Sequence, residues 1–179
     1  MAGVVFSTIL VLGVIFLLLP RTICSVKEGM AGRERTAIPV DEGSPVEVAY
    51  VHSMYGVRQN EVFSIRRGSV FHLERVEFGS LAAALYYDPD PPSGMVFQNG
   101  IWTINGEGKT YPVLKYGVSA GTGHTLKVAG QTIDLSGQSA GGEGLIQLEL
   151  VRRSRLSALF IALREGISNA LDSNRSGRS

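Results

Sequence analysis

Apolar positions fall into three regimes along the chain: an unbroken run, a long stretch of period-two alternation, and a short stretch at helical spacing. The run comes first. From Met1 to Pro20 no side chain is charged, and in VVFSTILVLGVIFLLL only Ser7 and Thr8 carry a hydroxyl. About 18–20 apolar residues in a helix can cross a ~30 Å hydrocarbon core, whereas a secretory h-region is usually ~7–15 residues. A buried core helix would keep one polar stripe, and this segment has none. No A-x-A cleavage site follows, so residues 1–21 are expected to form an uncleaved membrane anchor.

Alternation begins behind it. Ile23 to Val26 is short and β-like, residues 28–32 (EGMAG) read as a turn, and Thr36 to Val40 leads to Asp41-Glu42-Gly43-Ser44. In Pro45–Ser53, Val46, Val48, Tyr50 and His52 alternate with Glu47, Ala49, Val51 and Ser53, the period of a half-buried strand. Glu61–Arg67 and Ser69–Phe78 alternate in the same way. Leu81–Leu85 fits a helical turn or a strand, and the prolines of Asp88–Gly94 mark a loop. Asn99-Gly100 between MVF and IWTI predicts a hairpin. A second, around Ala129-Gly130, would pair Leu126 with Ile133. The glycine-rich stretch 137–144 precedes a last strand, GLIQLELV. About eight to ten short strands at turn-marked spacing predict a mostly β domain over residues 22–151, an antiparallel sandwich or barrel.

The third regime closes the chain. Leu156, Leu159, Phe160, Leu163, Ile167 and Leu171 share one helical face, which predicts an amphipathic helix over 152–171 and a disordered polar tail over 172–179. The helix either packs on the β domain or lies on a membrane surface; its apolar core is too short for a second span.

Charge sharpens this division. Residues 151–179 hold six Arg against Glu165 and Asp172, a local charge of +4, while the whole chain is formally +1. No global basic field favours nucleic acid. Cys24 is the single cysteine, so neither an intrachain disulfide nor a zinc knuckle can form. Arg21, Thr22 and Ile23 before it are not the small residues of a lipobox, which argues against a lipoprotein.

The most suggestive chemistry lies around one predicted hairpin. Pairing Tyr50 with Phe63 and Val48 with Ile65 matches apolar to apolar, and that register sets His52 opposite Glu61. Cross-strand neighbours lie ~5 Å apart, close enough for a carboxylate to hold an imidazole. Ser53, Tyr55 and Arg58 fall in or beside the connecting loop. The set Tyr50, His52, Ser53, Tyr55, Arg58 and Glu61 reads as a polar ligand pocket for an anion or a metal, or as a structural pair fixing the hairpin. One His and one Glu are too few for a metal site, and no cofactor is implied. Gly108-Lys109-Thr110 mimics the end of a P-loop, but position 103 is Thr where that motif requires Gly. Neither glycine-rich stretch, 117–123 or 137–144, contains a GxSxG elbow, and no nucleophile–base spacing is visible, so the expectation is a non-enzyme. His72 and His124 have no assigned role, and Trp102 and Tyr111 are either pocket-lining or ordinary β-core aromatics.

The stretch YVHSMYGVRQNEVFSI resembles the core motif of the domain-of-unknown-function 1850 family, Tyr-x-His-Ser-hydrophobic followed by Glu-x-Phe. FGSLAAAL, NGIWTING, HTLKVAGQTIDL and GLIQLEL resemble its later segments in order, and SVKEGMAGRERTAIPVDEG its opening, over roughly residues 22–150. The chain departs from the family where Tyr55 replaces a usual Glu, where Ala82-Ala83-Ala84 replaces Gly-Ala-Gly, and where Tyr86 replaces Pro. The resemblance implies a small exported or anchored protein associated with TRAP-type transporters that use TAXI-type solute-binding proteins, in a family with no established enzymatic activity. The expected partners are therefore the membrane, through the N-terminal helix, and a TRAP permease or TAXI solute-binding protein. Orientation is contested. Arg21, Lys27, Arg33 and Arg35 behind the apolar run favour a cytoplasmic domain, while the resemblance favours an extracytoplasmic one. The second is the expectation adopted, because almost no N-terminal flank precedes the run.

Overall fold

The computed structural model describes residues 16–139 and 143–157. Its strands are β1 (Pro20–Glu28), β2 (Arg33–Val40), β3 (Pro45–Val51), β4 (Arg58–Arg66), β5 (Val70–Phe78), β6 (Met95–Gln98), β7 (Ile101–Asn105), β8 (Thr110–Tyr111), β9 (Val113–Val118), β10 (Thr125–Val128), β11 (Gln131–Asp134) and β12 (Gly144–Ser154). A short helix, α1 (Leu81–Tyr87), lies between β5 and β6, and a 3₁₀ turn (Ala120–Thr122) lies between β9 and β10. These twelve strands exceed the eight to ten expected, mainly because pieces as short as β8 leave no alternation to read.

The strands form two antiparallel sheets. One has four strands in the order β2-β1-β12-β9. The larger has eight, in the order β11-β10-β3-β4-β5-β7-β6 with β8 also on β5. Neither sheet closes on itself, so the architecture is an open sandwich and not a barrel. Cys24, Val26, Ile38, Ile146 and Leu148 from the small sheet share one core with Val46, Val48, Phe63, Phe71, Val76 and Leu126 from the large one. Burial is the main source of cohesion: each such side chain contributes roughly 1.5–3 kcal/mol relative to exposure.

The expected turns form where left-handed backbone is tolerated. Asn99 and Gly100 have φ of 52° and 80°, joining β6 to β7. The β10–β11 hairpin pairs Leu126 with Ile133, as its sequence implies. The ambiguous Leu81–Leu85 segment is helical because Ser80 caps it, its Oγ accepting from the Ala83 N–H at 3.3 Å, while Ala83 and Ala84 enter the core.

Both ends of the domain are longer in β-structure than expected. Pro20 and Arg21, grouped with the anchor, open β1, and Arg152–Ser154, grouped with the C-terminal helix, end β12. Each pairs in register, Pro20 with Ser154 and Arg21 with Arg153. Residues 1–15 of the expected anchor, residues 158–171 of the expected helix and the tail 172–179 lie outside the described residues. Among the described residues no helix is long and apolar enough to cross a membrane. Cys24 sits in the middle of β1 and is fully buried, and that burial pushes its thiol up to about 12.

Candidate functional site

Strand β4 turns Gln59, Glu61, Phe63 and Ile65 towards the interior, while Asn60 and Ser64 on the other face bond Glu77 and Glu74 of β5. Two polar residues therefore stand on an otherwise apolar face. Gln59 is only 2% exposed. Each polar atom so placed needs a partner, because an unpaired buried one costs ~1–3 kcal/mol.

Glu61 is the acceptor they share. Its Oε1 accepts from the Tyr50 hydroxyl at 2.8 Å and from Gln59 Nε2 at 3.2 Å. Its Oε2 accepts from the Tyr116 hydroxyl at 2.7 Å. Tyr50 comes from neighbouring β3 and Tyr116 from β9 in the opposite sheet, so the carboxylate ties the two sheets together. All three donors are neutral, and no ion pair to Glu61 occurs among the described residues. Desolvation, then the charge of Glu61, holds the phenols of Tyr50, Tyr116 and Tyr87 well above their ordinary range.

The cluster walls a cavity of about 300 Å³ between the sheets, lined by Glu61, Tyr50, Tyr87, Tyr111, Tyr116 and Lys115 with apolar neighbours. On the other side of Tyr50 lies a groove of about 330 Å³, where His52, Ser53, Ser119, Thr122 and His124 gather. The Tyr50 ring lies parallel to His124, with centroids 4.7 Å apart and planes at 12°. Thr122 Oγ1 is 2.7 Å from His124 Nδ1, and burial lowers the histidine's pKa below 6.5.

The expected His52–Glu61 pairing does not form. Tyr50 pairs with Gln59, Val48 with Glu61 and Val46 with Phe63. The connection is tighter than the apolar pattern implied: the His52 N–H donates to the Val57 carbonyl at 2.8 Å, and the Gly56 N–H to the His52 carbonyl at 2.8 Å. Strand β4 therefore starts at Arg58, and Gln59 takes an inward position that an apolar-to-apolar match cannot assign. The four-residue displacement is even, so inward residues stay inward.

The six expected residues thus separate. Tyr50 and Glu61 meet in the cavity. His52 and Ser53 line the adjacent groove, with His52 Nδ1 accepting from the Met54 N–H at 3.3 Å. Tyr55 lies against His52 and Tyr86, at centroid distances of 5.2 and 5.8 Å. Arg58 is exposed and lines neither cavity. Tyr111 lines the cavity, whereas Trp102 stacks on Phe97 at 4.7 Å on a different hairpin. Gln59, Tyr87 and Tyr116 are additions to the expected set. Tyr116 was the findable one, since it stands between Leu114 and Val118 on an alternating strand and a buried phenol requires a partner.

Among the described residues no group of three or more His, Cys, Asp or Glu is placed to hold a metal ion. A family model described as Domain of unknown function (DUF1850) matches residues 46–135. That span covers β3 to β11, and with them Tyr50, Glu61, Tyr116 and His124; β1, β2 and β12 lie outside it. No curated protein and no solved structure matches the chain.

Proposed function

The chain belongs to the DUF1850 family, and from that membership and the inward carboxylate we propose that it is a non-enzymatic ligand-binding module, membrane-anchored and accessory to a TRAP-type (TAXI) solute transporter. The observation that carries the binding role is Glu61, a carboxylate turned into a tyrosine-lined cavity of about 300 Å³ and met, among the described residues, by neutral donors. Such a cavity lies at the small end of ligand pockets, ~300–1,000 Å³. The transporter role rests on the family, and the anchor on the uncharged run Met1–Pro20.

The two parts are tested separately. For binding, the full chain in detergent is melted against a panel of small metabolites beside its Glu61→Gln variant. At least one compound should raise the wild-type melting temperature and fail to raise the variant's; an equal shift in both removes the pocket from the reading. For the accessory role, cross-linking in native membranes followed by capture should recover a TRAP permease or a TAXI solute-binding protein. Recovery of neither ends that part. Protease added to intact spheroplasts should cut the domain, and protection would reverse its orientation.

A further inference from the structure

Resting on the reading of Met1–Pro20 as a membrane anchor, we infer that a second cavity, beside the end of that run, binds the phosphate of an anionic phospholipid, with Arg155 as its main donor. This cavity measures about 460 Å³, and Pro20, Arg21, Asp41, Glu42 and Arg155 are among the residues that line it. Residues 16–18 are helical, and Pro20 opens β1 directly behind them. Arg155 lies one residue beyond the last β1–β12 pair, Pro20 with Ser154, and its N–H donates to the Leu19 carbonyl at 3.3 Å. No linker separates the apolar run from the sheet, so an anchored chain holds this cavity at the depth of the lipid headgroups.

The charges there do not balance. Arg21 lies 3.9 Å from Asp41, and Arg67 lies 3.5 Å from Glu42. Arg155 has no carboxylate among the described residues, so three arginines meet two acids. Its Nε is buried without a hydrogen-bond partner. The guanidinium carbon sits 3.9 Å from the centroid of the Phe16 ring, a cation–π contact that holds the group but brings no counter-charge. A cation withdrawn from water without an opposite charge is costly, and an anion in the cavity removes that cost. Phosphate suits it, because a guanidinium offers a planar fork of donors to phosphate oxygens. The long Arg21–Asp41 contact leaves Arg21 able to join the same anion.

What borders the cavity selects a lipid over free phosphate. Phe16 under the guanidinium, Leu19 across from Arg155 and Leu156 beside it are all exposed apolar side chains. Free phosphate would leave them in water, whereas acyl chains cover them. Basic pockets beside membrane helices hold headgroups on the same principle. Phosphatidylcholine has the same phosphate but adds a cation of its own, so it leaves the positive excess in place.

The test melts the full chain in neutral detergent micelles doped with phosphatidylglycerol or with phosphatidylcholine, and separately with inorganic phosphate. Phosphatidylglycerol should raise the melting temperature by about 3 °C or more, and the other two should not. Arg155→Gln should lose most of that shift. Arg152→Gln should keep it, since Arg152 is exposed on the same strand and does not line the cavity. Equal loss in both variants would mean a general attraction to the basic C-terminal segment and would overturn the inference. Asp41 is 81% exposed, so Asp41→Asn should fold, and by freeing Arg21 it should tighten phosphatidylglycerol binding at least about twofold. That variant decides the matter if Arg155→Gln does not fold, and unchanged or weaker binding counts against the site. A shift with phosphatidylcholine or inorganic phosphate as large as that with phosphatidylglycerol overturns the anionic-lipid assignment. Carbonate extraction of native membranes tests the anchor separately. A chain released by carbonate ends the anchor reading and this inference together, while a retained chain with no preference for phosphatidylglycerol ends the inference alone.

Discussion

Tyr50 occupies the position on which both cavities depend. Its hydroxyl donates to Glu61, its ring lies against His124, and it lines the cavity on one side and the groove on the other. Tyr116 is the more buried partner and reaches the same carboxylate from the opposite sheet. A hydrogen bond to a charged group contributes ~1.5–3 kcal/mol. Tyr116→Phe is therefore expected to destabilise the protein by about 2 kcal/mol. In a Glu61→Gln background the same change should cost at least about 1 kcal/mol less, because the charged acceptor is already gone. Urea unfolding of the four proteins in the cycle measures this, and equal costs in both backgrounds would mean that the Tyr116–Glu61 bond does not stabilise the sandwich. The residue identities at this site were legible in part: Tyr50 and Glu61 stand out as polar residues in alternating strands. Gln59 did not, although it stands two residues from Glu61 on the same strand, because its inward place depends on where β4 starts; Tyr116 could be read as a buried phenol, but its partner lies in the opposite sheet.

At the level of elements, one irregularity in β5 explains how the large sheet presents its core face. Phe71 and Leu73 are buried, and so are Val76 and Phe78, although strict alternation would send the second pair outward. The β4–β5 register shifts between Val62 and Phe63, so that Val62 opposes Arg75 and Phe63 opposes Leu73. Glu74 is the extra residue, and its carboxylate accepts from Ser64 and Arg66 on the outer face. A bulge of this kind reverses the inward parity beyond it, so the plain alternation expected of Ser69–Phe78 is broken between Leu73 and Val76. The bulge also brings the β7–β8 turn close to β5. Gly106 donates its N–H to the Glu74 carbonyl at 2.8 Å, and a Cβ placed there would lie 1.9 Å from the Leu73 carbonyl oxygen. Backbone cannot yield as a flexible side chain does, so Gly106→Ala should destabilise by about 3 kcal/mol or more. A variant whose urea midpoint matches wild type would show that the turn can move away from β5.

Across the whole molecule, the shifted groups define a pH window of full stability. On the acid side, burial depresses His124 below 6.5. Its neutral form is favoured in the fold, so stability is complete above 6.5 and declines as pH falls from there towards the folded value. Glu34 joins the loss below 4.5. Burial acts to raise its pKa, but hydrogen bonds from Arg153, at 2.8 Å, and from Ser25 outweigh burial and lower it. On the alkaline side, burial raises Cys24 from 9.0 to about 12, and burial with the Glu61 charge raises Tyr50 and Tyr116 above 10.0. Groups held protonated in the fold stabilise it fully below their unfolded values, and that contribution is lost as pH rises past them. The urea midpoint should therefore be flat from about pH 6.5 to 9 and fall on both sides. His124→Asn should flatten the limb between 6.5 and 4.5; a midpoint that rises on acidification there would contradict the assigned burial of the histidine.

Local rules acting on the sequence alone determined the β class, the hairpins at Asn99-Gly100 and Ala129-Gly130, and the inward alternation of β3, because turn chemistry and period-two burial are properties of neighbouring residues. The folded structure decided the rest, through one tight turn and through residues far apart in the chain. The β3–β4 register depended on a tight His52–Val57 turn and on burying Gln59, which gains a partner only when Glu61 stands beside it. The choice of two open sheets over a barrel depended on β12 returning between β1 and β9. The site itself arises where β4 of one sheet faces β9 of the other, so that phenols from both sheets converge on the half-buried carboxylate of Glu61.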